Sequence, residues 1–216
     1  MINRDNKWVY LEIEQGYMLY KGNFSSYGEE LNNFLALFKN GVIKDDDIIN
    51  YLACIRGNFS IIVKTDDYIV ASVDCIRSVP LYYFVKNSTT FITDDVGYLK
   101  RTGHKLKISN DSQLSVLMSG YTLFEDTLYL GVKSFIPGQI FSYCSGGVNS
   151  YNINNFQTWF NSNNEARTKS LDLMCSEFNS VILEVMSNTI KSLEGRQVVV
   201  PLSGGYDSRL IVSLLK

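Results

Sequence analysis

The sequence VVVPLSGGYDS at Val198–Ser208 decides how the C-terminal part of the chain is interpreted. Its three valines predict a short strand, and the apolar residues after the Ser-Gly-Gly turn predict a helix from Tyr206 to Leu215. Adjacent glycines can adopt a positive φ and let backbone N–H groups approach a ligand closely. The first turn of a helix offers unpaired N–H groups and the positive end of its dipole. This segment is therefore predicted to bind an anion.

The polar residues of the turn favour phosphate as the bound anion. Ser203 and Ser208 add hydroxyl donors beside Gly204 and Gly205. Asp207 would repel a phosphate unless Mg²⁺ lay between them, because that ion takes oxygen ligands from carboxylate and phosphate together. The pattern predicts a site for a metal nucleotide, with Asp207 as the metal ligand.

An ordinary strand-to-helix turn is the alternative, with Asp207 as helix N-cap and the serines facing solvent. Neither a kinase-type P-loop nor a dinucleotide fingerprint is present, because Gly-Lys-Ser/Thr and Gly-x-Gly-x-x-Gly are both absent. Ser203 is a poor candidate for a hydrolase nucleophile. The chain has a single histidine, His104, which lies far away in a polar segment and is expected to be exposed. We therefore assign no catalytic residue.

Composition limits the class of protein. The 216 residues are 45% hydrophobic with a net charge of -2, which suits a soluble protein with one domain and part of a second. No run of Lys and Arg favours nucleic acid or anionic membrane as a partner. No apolar stretch approaches the roughly 20 residues that span a bilayer, and Met1–Asn6 lacks the apolar core of a signal peptide, so a cytoplasmic location is expected. The four scattered cysteines predict small core residues rather than a zinc or redox site.

The first 150 residues are predicted to form short antiparallel strands and a few helices. A hairpin is expected from Lys7–Ile13 and Tyr17–Tyr20, and a second one across Lys133–Val148, interrupted by Pro137-Gly138. Helices are expected at Gly28–Lys39 and at Asp111–Met118, the latter capped by Asp111 or Asn110. An antiparallel meander is expected from the remaining runs, Asn58–Lys64, Tyr68–Val73, Leu81–Val85 and Thr90–Thr93.

The C-terminal part is predicted to begin an α/β layer. Residues 151–164, rich in Asn and Ser, are interpreted as a linker between a domain at 1–150 and a second domain at 165–216. Apolar residues recur every three to four positions from Leu171 to Ile190, which predicts an amphipathic helix that ends by Gly195. We expect this helix to pack on a parallel sheet begun by Val198–Val200.

The loop at Leu202–Ser208 resembles the pyrophosphate loop of the asparagine synthetase family. That family joins a glutamine amidotransferase-like front domain to an ATP pyrophosphatase domain with a PP-loop. Four front segments resemble the family in the same order, namely Arg56–Ser60 (Gly-x-Phe-Ala), Asp74 with Pro80–Tyr83 (Asp-x-x-Gly-x-x-Pro-Leu-Tyr-Tyr), Phe91–Asp95 (Phe-Ala-Ser-Glu) and Ile136–Gln139 (Pro-Gly turn).

The resemblance implies an α+β fold. An Ntn-hydrolase-like antiparallel sheet domain with helices would precede the start of an α/β domain of the adenine nucleotide α-hydrolase type. It also implies an ATP-dependent amide-forming ligase, in which a carboxylate is adenylated and then attacked by ammonia or an amine. ATP and Mg²⁺ would be the cofactors. The implied substrate is a small carboxylate or a peptide, and the implied partners are a second copy or a separate glutaminase.

The same resemblance distributes roles over the loop residues. Ser203, Gly204, Gly205 and Ser208 would hold pyrophosphate, Asp207 would hold Mg²⁺, and Leu202 would contribute backbone beside the nucleotide.

Departures from the family pattern fall in the front domain. Met1 is followed by Ile2 where the family has its N-terminal nucleophilic cysteine. Lys21 and Asn23 replace an amide and a carboxylate of the glutamine pocket, and Arg77 replaces a glycine and is interpreted as a surface turn residue. We expect a front domain that keeps the fold and has lost glutaminase chemistry. Asp45–Asp47 could belong to a metal site, but helix N-terminal charges are the simpler interpretation.

Other functions stay open at this point. The chain could be a truncated, inert fragment or a non-catalytic binding module of the family, or a β-lactam or macrolactam-forming synthetase with a silent front domain. GMP synthetases, NAD synthetases and tRNA-modifying enzymes share the loop, but they do not explain Pro80–Tyr83 or the β-rich front part.

Overall fold

The computed structural model describes residues 8–13, 16–24, 33–34, 36, 45–55, 57–66, 68–86, 89–144, 147–152, 169–193 and 195–215. The chain divides into two compact units, residues 1–154 and 155–216. Of the predicted linker, residues 151 and 152 end a strand, and residues 153–164 lie outside the described part.

Antiparallel strands in two sheets build the first unit, which confirms an α+β fold with antiparallel pairing. The six-stranded sheet has the order β1-β2-β3-β4-β8-β9, formed by Val9–Ile13, Gly16–Phe24, Gly57–Thr65, Tyr68–Val73, Gln139–Cys144 and Gly147–Asn152. The three-stranded sheet has the order β6-β5-β7, formed by Thr89–Thr93, Tyr82–Lys86 and Val132–Ser134.

Among the described residues, five helices have defined bounds, three in the first unit and two in the second. They are α1 (Asp45–Cys54), α2 (Val96–Arg101), α3 (Asn110–Ser119), α4 (Leu171–Leu193) and α5 (Tyr206–Leu214). Asp45–Asp47 form the first turn of α1, as their simpler interpretation predicted. The described residues of the predicted helix Gly28–Lys39, at positions 33, 34 and 36, are helical, and the rest of it lies outside the described part. None of the helices that can be described is long and apolar enough to cross a bilayer.

The cap predicted for α3 was wrong. Ser109, not Asn110 or Asp111, is the N-cap, and its hydroxyl accepts a hydrogen bond from the Ser112 N–H. Ser109 has the extended backbone that an N-cap requires, at φ -81° and ψ 123°. Gly120 ends the helix in the left-handed conformation at φ 84°.

Both faces of the six-stranded sheet are buried. On β3, Ile61 and Val63 point into a cluster with Ile48 and Leu52 of α1. Ile62, between them, points to the opposite face. That opposite cluster also contains three residues from the second sheet and its flanks, Leu81, Ile92 and Phe135. Each buried side chain of this size contributes about 1.5–3 kcal/mol to folding. The centre of β3 is a continuous apolar run because one of its faces packs against a helix and the other against the second sheet.

The predicted meander is interrupted at one junction, and the predicted hairpin at Lys133–Val148 was wrong for the same reason. β4 and β5 lie in different sheets, and so do β7 and β8. The chain crosses between sheets at residues 74–81 and again at residues 135–138. The two crossings are joined, because the Gly138 N–H donates to the Asp74 carbonyl oxygen at 2.9 Å. The hairpins β1–β2, β3–β4 and β5–β6 are those that were predicted, and β8–β9 is a further one.

The described part of the second unit consists of residues 169 and 170, α4, the segment 195–205, α5 and residue 215. The helix predictions for Leu171–Ile190 and Tyr206–Leu215 are confirmed to within a few residues. The predicted strand at Val198–Val200 was wrong, since residues 169–193 and 195–215 contain no strand. Val199 is 81% exposed and has no neighbouring strand in this part of the chain to pair with.

Candidate phosphate-binding site

The segment Leu202–Gly205 runs directly into the N-terminus of α5. Gly205 is the N-cap, with φ -78° and ψ 168°, and no side chain accepts a hydrogen bond at this cap. Asp207 lies within the first turn, so the alternative in which it is the N-cap was wrong. The helix consequently presents first-turn N–H groups without a capping side chain, which is the arrangement that favours an anion.

Two serine hydroxyls meet at this N-terminus. The Ser203 and Ser208 Oγ atoms lie 3.1 Å apart, and the Ser203 N–H donates to Ser208 Oγ at 3.2 Å. The Gly205 N–H donates to Ser203 Oγ at 3.3 Å. These contacts join the loop to the helix and bring two hydroxyls and two loop amides together. Hydroxyl hydrogens can rotate toward an external acceptor, whereas the Ser203 and Gly205 N–H groups already donate within the loop.

The two glycines of the loop do not use the conformation expected of them. Neither has a φ in the left-handed region. A Cβ added to Gly204 would meet no atom within 4 Å, and one added to Gly205 would meet only Ser203 Oγ, at 3.4 Å. Backbone geometry therefore does not require glycine here. What glycine provides at Gly204 is bare backbone facing open space.

Asp207 is exposed, and it makes no ion pair or hydrogen bond within the part of the chain that is described. Its carboxylate is free to bind a cation. No group of three or more acidic, His or Cys side chains converges among the described residues. A single carboxylate would therefore hold Mg²⁺ only with ligands from phosphate oxygens and water, which is how Mg²⁺ is usually bound beside nucleotides. The donor set fits a metal that arrives with its nucleotide.

In the first unit, Lys21 forms a largely buried ion pair. Its Nζ lies 2.7 Å from Asp94 Oδ2, which also accepts from Trp8 Nε1 at 3.0 Å. The side chains of Lys21 and Asp94 are 19% and 8% exposed. Asp94 Oδ1 is buried and has no hydrogen-bond partner among the described residues. The Lys21 ammonium is thus neutralised by a carboxylate that lies 73 positions further along the chain.

Asp74, the acid of the resembling Asp-x-x-Gly-x-x-Pro segment, holds the backbone together. It is 3% exposed. Its Oδ2 accepts from the N–H groups of Phe59 and Ser78 at 3.0 and 2.9 Å, and its Oδ1 accepts from the Ile76 N–H at 2.9 Å. These three donors tie the start of β3 to the crossing at residues 74–81. The carboxylate is engaged on both oxygens and is not free for acid–base chemistry.

Arg77 is more than the surface turn residue that was expected. Its φ of 55° places a non-glycine residue in the left-handed region. Its guanidinium donates to Ser134 Oγ at 2.6 Å and to the Phe135 carbonyl at 3.1 Å. The side chain is half-buried and links the first crossing to the second. Hydrogen bonds of the side chain offset the backbone strain that a glycine would avoid.

A polar network that the sequence did not reveal lies beside the second sheet. The Tyr83 hydroxyl donates to Glu125 Oε2 at 3.3 Å, and Gln139 Nε2 donates to Glu125 Oε1 at 3.1 Å. Burial and the neighbouring Glu125 carboxylate raise the pKa of Tyr83 from 10.0 to about 12. The only sequence signal for this site was the repeated tyrosine of Pro80–Tyr83.

Expectations for two residue types need correction. His104 is half-buried rather than exposed, with its ring edge-on to Phe91 at 4.8 Å and to Phe84 at 5.5 Å between centroids. Its Nδ1 is buried and has no hydrogen-bond partner in the described part. Cys75 and Cys175 are exposed rather than in the core.

Comparisons with known proteins give distant structural similarity and no sequence relative. No family model and no curated protein matches the chain. One similar structure is the glutamine phosphoribosylpyrophosphate amidotransferase from B. subtilis complexed with ADP and GMP, with 14% identity and a TM-score of 0.40. Another carries the description "structure of the allosteric regulatory enzyme of purine biosynthesis", with 14% identity and a TM-score of 0.38. Each match covers 68% of this chain and 31% of the other, so the chain spans about a third of their length.

Proposed function

We propose that Leu202–Gly205 and the first turn of α5 bind the phosphates of Mg²⁺-ATP in an asparagine synthetase-like, amide-forming ligase. The observation that carries this proposal is the open N-terminus of α5. It has no capping side chain, and the backbone before it, at Gly204, faces empty space. A structural turn has no need of either feature, whereas a phosphate needs both N–H donors and room to approach them.

Each loop residue would have a separate task. Ser203 and Ser208 would donate their hydroxyls to phosphate oxygens, and the missing side chain of Gly204 would let the phosphate contact the backbone. Asp207 would bind Mg²⁺. When bound, Mg²⁺-ATP supplies a diphosphate leaving group whose growing charge the metal and the donors stabilise. Leu202 would place its backbone beside the nucleotide.

The first unit would act as a scaffold without glutaminase chemistry. Lys21 is neutralised by Asp94, and Asp74 is occupied by three backbone N–H groups. Neither is free to grip a substrate. The amine would then come from free ammonia, from the substrate itself as in β-lactam or macrolactam formation, or from a partner glutaminase.

A second candidate is a binding module of the same family that performs no ligation. It is favoured by the second unit, whose described residues contain no strand. Contacts to adenine and to the acceptor acid in an α/β nucleotide domain would require such strands. Under this alternative the chain would bind phosphate at α5 and catalyse nothing.

Exchange of labelled pyrophosphate into ATP separates the two candidates. A ligase exchanges label in the presence of at least one acceptor acid, and a binding module shows none with any acid. Both bind Mg²⁺-pyrophosphate, which calorimetry can measure directly on the full chain. A chain that binds neither Mg²⁺-ATP nor Mg²⁺-pyrophosphate contradicts both candidates.

A further inference from the structure

We draw no further inference here: the strongest candidate, the apolar surface patch that α3 and the turn after it expose through Leu117, Met118 and Phe124, carries none because nothing in the part of the structure that is described shows what covers it.

Discussion

Replacement of Asp74 tests whether this acid is structural or chemical. The carboxylate accepts from three backbone N–H groups, of Phe59, Ile76 and Ser78, within 3.0 Å. Asp74→Ala removes both acceptor oxygens, and with them all three hydrogen bonds, and leaves the buried Phe59 N–H without this acceptor. Hydrogen bonds to a charged group contribute about 1.5–3 kcal/mol each. Because one of the donors is at the start of a buried strand, we expect a loss of about 4 kcal/mol or more in the free energy of unfolding.

Asp74→Asn is the sharper variant because it keeps the shape of the side chain. The amide oxygen can take the Oδ2 position and still accept from the Phe59 and Ser78 N–H groups, but the amide –NH₂ then faces the Ile76 N–H. One of three hydrogen bonds is lost, a donor opposes a donor and the charge is gone, so we expect a loss of about 2 kcal/mol. Against a typical total of about 5–15 kcal/mol, this is a large effect.

Urea unfolding followed by far-UV circular dichroism measures both losses. Asp66→Asn is the matched control, since Asp66 is exposed, directly follows β3 and has no hydrogen bond or ion pair within the described part. Its replacement should change stability by less than about 0.5 kcal/mol. If Asp74→Asn is as stable as Asp66→Asn, the hydrogen bonds do not hold the crossing, and a chemical role for Asp74 must be reconsidered.

Three further predictions concern the first unit. The raised pKa of Tyr83 favours the folded state below pH 10.0, and this contribution is lost as the pH rises toward about 12, so Tyr83→Phe should remove that part of the alkaline destabilisation. Urea titrations of both proteins at several alkaline pH values give the free energy of unfolding as a function of pH. If it falls equally steeply with pH in the wild type and in Tyr83→Phe, the prediction is wrong. Arg77→Gly should be less destabilising than Arg77→Ala, because both lose the two guanidinium hydrogen bonds and only glycine relaxes the φ of 55°. If Arg77→Gly has the lower melting temperature of the two variants, the backbone of Arg77 is not strained. Ser109→Ala should cost about 1 kcal/mol through loss of the α3 N-cap, and an unchanged melting temperature would show that the cap is not used.

Local patterns in the sequence predicted the elements that depend on local forces. The periodicity of α4 and the turn residues before α5 were sufficient to place both helices. The β1–β2 hairpin was also predicted, because its strands are adjacent in sequence. In each case the residues that stabilise the element lie within a few positions of one another.

Elements that depend on distant partners were not predicted. Pro137-Gly138 has the composition of a hairpin turn, yet the Gly138 N–H binds Asp74, 64 residues earlier, and the chain changes sheets there. Val198–Val200 has the composition of a strand but has no neighbouring strand among the described residues. Strand pairing is decided by long-range contacts that composition does not record.

The turn before a helix was predicted correctly, while the conformation of its glycines was not, and the phosphate site itself stays a prediction. The glycines were expected to be left-handed and are not. The Lys21–Asp94 ion pair joins residues 73 positions apart, so nothing in the local sequence could reveal it. Arg77 was underestimated for the same reason, since its acceptors lie 57 and 58 residues further on.

Substitution of Gly204 separates a phosphate site from an ordinary turn. A Cβ at this position meets nothing within 4 Å and needs no left-handed φ, so Gly204→Ala should unfold at the same urea concentration as the wild type. If phosphate contacts this backbone, the added methyl group occupies its place. Loss of one charged hydrogen bond, about 1.5–3 kcal/mol, corresponds to a loss in affinity of roughly 10- to 150-fold.

Calorimetric titration of the full chain with Mg²⁺-ATP is the most direct measurement. The wild type should bind, Gly204→Ala should bind at least about 10-fold more weakly, and Ser213→Ala, at the far end of the same helix, should bind like the wild type. No binding by the wild type, or equal binding by Gly204→Ala, would contradict the assignment of the α5 N-terminus as a phosphate site.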